Sequence, residues 1–210
     1  MSETHGQVIA IVGAESTGKT TLARELAAAL AVDGERVAHV DEALREFCLQ
    51  HNRTPRADEQ AAIARAQSHR IEQAARTHAL VVADTSALMV AIYSQLLFDD
   101  RSLLAEALAA QARYRVTLLT ALDLPWVADG FIRDGAHVRA PVDALLRDAL
   151  QGAGVPYAVV CCNGEQRLHN AQRAVAAALQ TAATGAARWR HVCAECGDPD
   201  CERHLLRNPG

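Results

Sequence analysis

The sequence predicts a three-layer α/β fold in which helices cover both faces of a parallel five-stranded sheet. Short apolar runs are typical of strands buried on both faces, and the longer Ala- and Leu-rich stretches between them are typical of helices. The predicted strands are 8–12, 36–40, 80–83, 116–120 and 157–161. The predicted helices are 20–32, 43–51, 56–78, 86–98, 102–112, 141–152 and 164–183. This alternation of strands with helices favours parallel pairing.

The length of 210 residues suits one domain with a short appendage. Aromatic residues make up only 4% of the chain, so its core must consist mainly of Ala, Leu and Val. A break in composition near residue 184 divides the chain into a domain at 1–184 and a Cys- and His-rich tail at 185–210.

The net charge of −4 gives no indication of the basic surface that is typical of DNA- and RNA-binding proteins. The polar N-terminal residues and the lack of an 18-residue apolar stretch predict a soluble cytoplasmic protein without membrane partners. In that compartment thiols stay reduced, so the six cysteines are interpreted as free, reactive or metal-binding.

The segment GAESTGKT at 13–20 follows the first predicted strand and begins the first predicted helix. Its glycines let backbone N–H groups wrap around phosphates, and the helix N-terminus adds a positive dipole end. This pattern predicts a P-loop that holds ATP, with Lys19 at the β- and γ-phosphates and the Thr20 hydroxyl on Mg²⁺. The expected nucleotide-binding residues are Gly13, Glu15, Ser16, Thr17, Gly18, Lys19, Thr20 and Thr21.

Lys19 is the only lysine in a chain with 20 arginines. The compact ammonium is therefore kept at the one position where a planar guanidinium cannot replace it. A single lysine also excludes the standard Asn-Lys-x-Asp motif for guanine.

Acidic residues follow two further predicted strands, at the sheet edge where parallel α/β proteins bind ligands. Asp84 is expected to hold Mg²⁺, directly or through water. Asp41 or Glu42, with Glu42 preferred, is expected to accept the proton of an attacking hydroxyl. The alternative is that these acids cap the following helices. Arg45, one turn later, would orient a carboxylate or contact phosphate.

An arginine-bearing loop after the fourth strand is a device by which small kinases close over a transferring phosphoryl group. Arg133 and Arg139 are the candidates here, with solvated surface arginines as the alternative. Trp126 would stack on a substrate ring or anchor the loop. The start of the last helix, at 163–167, would border the adenine or be an ordinary helix start.

Together these stretches resemble the ribosylnicotinamide kinase domain of NadR-type NAD-salvage proteins. The matching stretches are GAESTGKTTL (13–22), EALREF (42–47), DT (84–85) followed by AIYS (91–94), and PWVADG (125–130). They occur in the family's order, and the resemblance covers about residues 7–180. The chain departs from the family at Ala43, where an aromatic residue is usual, and in a lengthened loop at 129–133.

The resemblance implies a sheet of order 2-3-1-4-5 and transfer of the ATP γ-phosphate to the 5′-hydroxyl of nicotinamide riboside. It implies catalytic roles for Lys19, Glu42, Asp84 and Arg133. The candidate substrate-binding residues are Asp41, Arg45, Tyr93, Trp126 and Asp129. Without an upstream DNA-binding or adenylyltransferase region, a stand-alone kinase-like domain is expected.

Two other functions stay open. One is a kinase for a different nucleoside or a nucleotide. The other is a nucleotide-dependent regulatory ATPase whose tail contacts a partner.

The tail carries the spacing Cys193-x2-Cys196-x4-Cys201-x2-His204, which is typical of a compact Cys₃His zinc site. His191 or Asp198 are the other candidates for the fourth ligand. A segment this short cannot bury a core, so zinc would have to supply its folding energy. The alternative is an unstructured or docked tail with free thiols.

We predict one Zn²⁺ per chain in protein purified without chelator, measured by elemental analysis. Cys196→Ser should abolish it, because three ligands hold the ion far less tightly than four. A wild-type protein with no zinc and three readily titrated tail thiols would contradict this prediction.

Overall fold

A computed structural model describes residues 5–31, 36–127 and 135–184, with side chains described to residue 180. Its five strands are β1 (Gln7–Val12), β2 (Val37–Val40), β3 (Leu80–Asp84), β4 (Val116–Thr120) and β5 (Ala158–Val160). The helices are α1 (Lys19–Leu30), α2 (Ala43–His51), α3 (Gln60–Thr77), α4 (Ala87–Phe98), α5 (Leu104–Arg113), α6 (Arg139–Gly152) and α7 (Gly164–Thr184). Strands and helices alternate as the sequence predicts.

The strands form one parallel sheet of order β2-β3-β1-β4-β5. Ile9 lies opposite Val82 of β3 on one side and Val116 of β4 on the other, so β1 occupies the centre. This confirms both the predicted parallel sheet and the order implied by the resemblance. The carboxyl ends of β1, β2 and β3, where the predicted site residues lie, meet at one edge.

Both faces of the sheet are covered, because successive β1 side chains point in opposite directions. Ile9 and Ile11 pack with Leu22 and Leu26 of α1 and with α7. Val12 packs in the cluster on the opposite face, which contains α4 and the buried side of α6. Burying each Leu or Ile side chain contributes about 1.5–3 kcal/mol relative to an exposed one, so these two layers stabilise the β1 end that positions the loop at 13–18.

Helix α4 is apolar around most of its circumference, and seven of its residues are buried. Such a helix lies inside a protein rather than on its surface. It runs from the end of β3 beneath the site, so its C-terminal half is available to line a cavity.

Several predicted boundaries differ from the structure by one to four residues, and two of the differences have a clear physical reason. The helix predicted from residue 56 begins with a 3₁₀ turn at Ala57–Glu59, and the α-helix starts at Gln60. The reason is that the Glu59 carboxylate turns back to accept a hydrogen bond from the Arg56 N–H. Helix α6 begins at Arg139, two residues before the predicted start, because Pro141 is tolerated within the first turn.

No helix among the described residues combines the length and the apolar composition needed to cross a bilayer.

Candidate active site

The P-loop joins β1 to α1 at the carboxyl edge of the sheet. Ser16 and Gly18 have φ values of 54° and 74°, so the chain turns through the left-handed region twice within three residues. Gly18 is the N-cap of α1 and provides no side-chain cap. The first N–H groups of α1 therefore remain available to an anion at the helix N-terminus.

Two buried threonine hydroxyls fix the loop from beneath. Thr17 Oγ1 donates to the Ala14 carbonyl at 2.7 Å and lies 2.7 Å from Thr120 Oγ1 of β4. A Cβ on Gly13, whose φ is +148°, would lie 2.0 Å from Thr120 Oγ1. Position 13 therefore admits only glycine.

Lys19 extends back along the loop, and its Nζ donates to the Ala14 carbonyl at 2.7 Å. Residues 15–21 form one wall of a cavity of about 740 Å³. All the predicted nucleotide-binding residues except Gly13 line this cavity, while Gly13 shapes the loop behind it. The loop and Lys19 thus present a positive, N–H-rich surface to the cavity.

Asp84 ends β3 beside β1, where it lies opposite Ile11. Asp84 is 1% exposed, and its Oδ1 has no hydrogen-bond partner among the residues that the structure describes. It does not cap α4, since Ser86 is the N-cap and accepts a hydrogen bond from the Leu88 N–H. A buried carboxylate oxygen with no protein partner is suited to a cation or an ordered water.

The two acids at the end of β2, Asp41 and Glu42, differ in exposure and in their position relative to the cavity. The Glu42 side chain is 15% exposed, lines the cavity and lies 3.6 Å from Arg45 Nε. The Asp41 side chain is 69% exposed and lies 3.7 Å from Arg24 and from His39. Of the pair, Glu42 alone is placed to contact a molecule in the cavity, which agrees with the sequence preference for Glu42.

The part of the cavity that α4 lines is largely apolar. Helix α4 contributes Tyr93, as predicted, together with four residues that the sequence analysis did not single out: Met89, Val90, Leu97 and Phe98. Leu97 and Phe98 are 44% and 39% exposed, which marks this end of the cavity as open to solvent. The sequence could have indicated these α4 residues, because the C-terminal half of α4 is apolar whereas a surface helix has a polar face.

The cavity also contains two arginines that sequence reasoning missed, Arg24 of α1 and Arg56 of the segment between α2 and α3. Arginines are frequent in this chain, so neither stands out in the sequence. The Thr54-Pro55 pair marks a loop, but nothing local places that loop beside the P-loop.

Arg167 of α7 is a further missed residue. Its side chain is buried, and its Nη2 donates to the P-loop carbonyl of Thr17 at 2.7 Å. Its Nη1 donates to Asp123 Oδ1 at 3.1 Å and to the Cys162 carbonyl at 2.5 Å. One guanidinium thus joins the P-loop to the segments that follow β4 and β5. The sequence analysis interpreted the start of this helix as a border of the adenine or as an ordinary helix start, and neither interpretation includes this anchoring role.

The segment after β4 is attached to the P-loop through Ser16. Its hydroxyl donates to the Val127 carbonyl at 2.9 Å and accepts from the Val127 N–H at 3.1 Å. Trp126 is half-buried and is not part of the cavity wall. Arg139 donates to the Leu122 and Leu124 carbonyls, so it holds the beginning of its own loop.

Several predicted site residues lie outside the described residues. Asp129 and Arg133 belong to the gap at 128–134, and the tail ligands Cys193, Cys196, Cys201 and His204 follow residue 184. Within the described part of the chain, no three or more His, Cys, Asp or Glu residues are grouped so that they would hold a metal ion.

A family model described as an AAA domain matches residues 8–167. No curated protein matches the sequence significantly.

Among solved structures, the NadR protein in complex with NR is similar, with 22% identity and a TM-score of 0.66 over 81% of this chain and 50% of that one. The chain thus spans about half the length of that protein. Shikimate kinase from Acinetobacter baumannii in complex with shikimate gives 17% identity and a TM-score of 0.42, over 85% of this chain and 96% of the other. The second match is too distant to support an argument. The first confirms, at the level of the fold, the resemblance to NadR-type proteins.

Since the family model covers the P-loop, the carboxylates at the strand ends and Arg167 in one continuous match, the chain belongs to the AAA domain family of P-loop proteins.

Proposed function

We propose that this protein is an ATP-dependent kinase that phosphorylates a small molecule. The observation that carries the proposal is that the P-loop and Glu42 face one cavity of about 740 Å³. Phosphoryl transfer needs a phosphate cradle and a hydroxyl-activating base around the same space.

The donor end would hold the ATP phosphates on the P-loop N–H groups, with Lys19 against the β- and γ-phosphates. Thr20 and Asp84 would hold Mg²⁺, because both offer the oxygen ligands that this ion prefers and Asp84 has a buried oxygen without a hydrogen-bond partner in the described part of the chain. When bound, the ion neutralises charge on the transferring phosphoryl group. The sequence motif and the family both support ATP with Mg²⁺ as the donor.

At the acceptor end, the substrate hydroxyl would donate its proton to Glu42. The hydroxyl oxygen then forms a bond to the γ-phosphorus as the bond to the ADP oxygen breaks. Arg45, 3.6 Å from the Glu42 carboxylate, is placed to orient it. Tyr93 and Phe98 offer aromatic faces to a flat ring on the acceptor.

As acceptor we propose nicotinamide riboside, phosphorylated on its 5′-hydroxyl. The support is the four motifs in family order and a fold shared with a NadR protein whose structure contains NR. A cationic pyridinium ring also suits a site with a carboxylate and a tyrosine ring.

A second candidate acceptor is a nucleotide or another anionic molecule. The observation in its favour is that Arg24, Arg45 and Arg56 all line the cavity.

We further propose a cytoplasmic location, a domain boundary at residue 184, a zinc site in the tail, and loop contacts to substrate by Asp129 and Arg133.

Lys19 provides the first test. Lys19→Ala and Lys19→Arg should each lower kcat/KM for ATP by about 10²–10³-fold, since the guanidinium keeps the charge but not the compact shape. Amine acylation should inactivate the enzyme, and Mg-ATP should protect it. Loss of activity that Mg-ATP fails to prevent would place the nucleotide elsewhere.

The carboxylates provide the second test. Glu42→Gln should lower kcat by about 10²-fold or more while ATP affinity is kept, because the base contacts only the acceptor. Asp84→Asn should lower Mg²⁺-dependent turnover more than metal-free nucleotide binding. Asp41→Asn is the matched control, since that exposed carboxylate lies outside the cavity, and its activity should stay near wild type. Equal losses of ATP binding in the first two variants would contradict these roles.

A competition assay tests the acceptor. Nicotinamide riboside, uridine, cytidine, adenosine and nicotinamide mononucleotide are supplied together at equal concentration with ATP, and the products are separated by chromatography. We expect nicotinamide riboside to be preferred. A tenfold preference for another acceptor, about 1.4 kcal/mol in the transition state, would refute the substrate but keep the kinase. ATP hydrolysis with no phosphorylated product would favour the regulatory ATPase.

A further inference from the structure

One wall of the cavity comes from the segment between α2 and α3, here called the rim (residues 52–59). Thr54, Pro55, Arg56 and Ala57 of the rim line the cavity. Apart from one 3₁₀ turn the rim has no regular secondary structure, so side-chain contacts must define its position.

The Glu59 carboxylate ties the two ends of the rim together. Arg53 donates to it through both terminal nitrogens, Nη1 to Oε2 at 2.7 Å and Nη2 to Oε1 at 2.6 Å. The Arg56 N–H donates to Oε2 at 2.8 Å. A two-pronged pairing of this kind fixes orientation as well as distance.

Arg53 also joins the rim to α2. Its guanidinium lies over the Phe47 ring at 5.3 Å, and Phe47 packs against the core cluster that includes α4. Helix α2 also carries Arg45 and is capped by Glu42, both of which line the same cavity. These contacts therefore fix the position of the rim relative to Glu42 and Arg45, the residues that would face the acceptor.

The competing explanation for the Arg53–Glu59 contact is an ordinary surface ion pair without a role in acceptor recognition. The Arg53 and Glu59 side chains are 37% and 21% exposed, and such pairs add little to stability. That explanation accounts for neither the third bond, to the Arg56 N–H, nor the stacking on Phe47. Hydrogen bonding from Arg53 lowers the pKa of Glu59 to about 2, so the carboxylate stays charged at neutral pH.

We propose that Glu59 and Arg53 are positioning residues for acceptor recognition, which they support by holding the rim against α2. The inference rests on the proposed kinase function. It assigns the pair to the acceptor rather than to ATP, because Arg53 stacks on Phe47 of α2, the helix that carries Arg45 and has Glu42 at its N-cap position.

The test compares Glu59→Ala, Glu59→Gln and Arg53→Lys with wild type by steady-state kinetics. We expect Glu59→Ala to raise the acceptor KM about tenfold while the ATP KM changes by less than about twofold, a difference of about 1.4 kcal/mol in acceptor binding. Glu59→Gln keeps an oxygen for the Arg56 N–H and should give an intermediate KM. Arg53→Lys keeps the charge but loses the paired bonds, so its acceptor KM should also rise.

Glu72→Gln is the matched control, because Glu72 forms an exposed pair with Arg113 at 3.5 Å and does not line the cavity. It should leave both KM values unchanged. The inference is wrong if Glu59→Ala raises the ATP and acceptor KM values equally, or if Arg53→Lys behaves as wild type.

Hydrogen exchange separates this inference from the proposed function. Faster exchange of the Arg56 amide in Glu59→Ala than in wild type would show, without any acceptor, that Glu59 holds the rim in place, and unchanged exchange overturns that role. If wild type phosphorylates no acceptor, the kinase proposal fails. The role of Glu59 and Arg53 in acceptor recognition then fails with it, whatever the exchange shows.

Discussion

The close approach of Gly13 to Thr120 is the constraint on which the site depends. Thr120 ends β4, and its hydroxyl occupies the space that a side chain at position 13 would need. The same hydroxyl lies within hydrogen-bonding distance of Thr17 Oγ1 and the Val12 carbonyl. Pairing of β1 with β4 therefore determines how the P-loop curves, and the loop cannot relax without breaking buried hydrogen bonds.

The strand order then distributes the chemistry around that loop. On one side of β1 lie β3 and β2, whose carboxyl ends place Asp84 next to the loop and Glu42 farther out. On the other side lie β4 and β5, where Arg167 connects the Thr17 carbonyl to Asp123 and Cys162. The acids thus lie on one side of the phosphate site, while the opposite side holds the loop in shape. Removing Arg167 would leave the buried Thr17 carbonyl without this donor, which is costly in a protein interior.

The sequence predicted the features that depend on residues close together in the chain. Apolar runs located all five strands, and the glycine-lysine pattern located the P-loop. Asp84 and Glu42 were predictable because both follow strands directly, and the ends of parallel strands meet at one edge. The choice between Asp41 and Glu42 is explained by exposure, since Asp41 turns outward to Arg24 while Glu42 turns into the cavity.

Contacts between distant segments were not predictable. Arg167 lies 150 positions from the P-loop carbonyl that it binds, and no periodicity records such a pairing. The sequence pattern predicts that residues 56–59 of the rim already belong to the helix at 56–78. What overrides the helical pattern there is the pairing of Glu59 with Arg53 and with the Arg56 N–H. Helix propensities describe residues one at a time and therefore do not include side-chain pairings of this kind.

The arginines of the cavity do not by themselves define the charge of the acceptor. Each lies near a carboxylate: Arg24 is 3.7 Å from Asp41, Arg45 is 3.6 Å from Glu42, and Arg56 is 3.3 Å from Glu59. The first and third arginines are 65% and 67% exposed, where such pairs contribute about 0–1 kcal/mol.

Glu42 is in a different position, since its side chain is only 15% exposed and water screens it less. The field at the acceptor end is therefore set more by the shielded Glu42–Arg45 pair than by the number of arginines. A neutral hydroxyl that hydrogen-bonds to Glu42 leaves that pair charged until the moment of proton transfer. An anion drawn to Arg45 would have to approach the Glu42 carboxylate, and this repulsion favours a neutral or cationic acceptor.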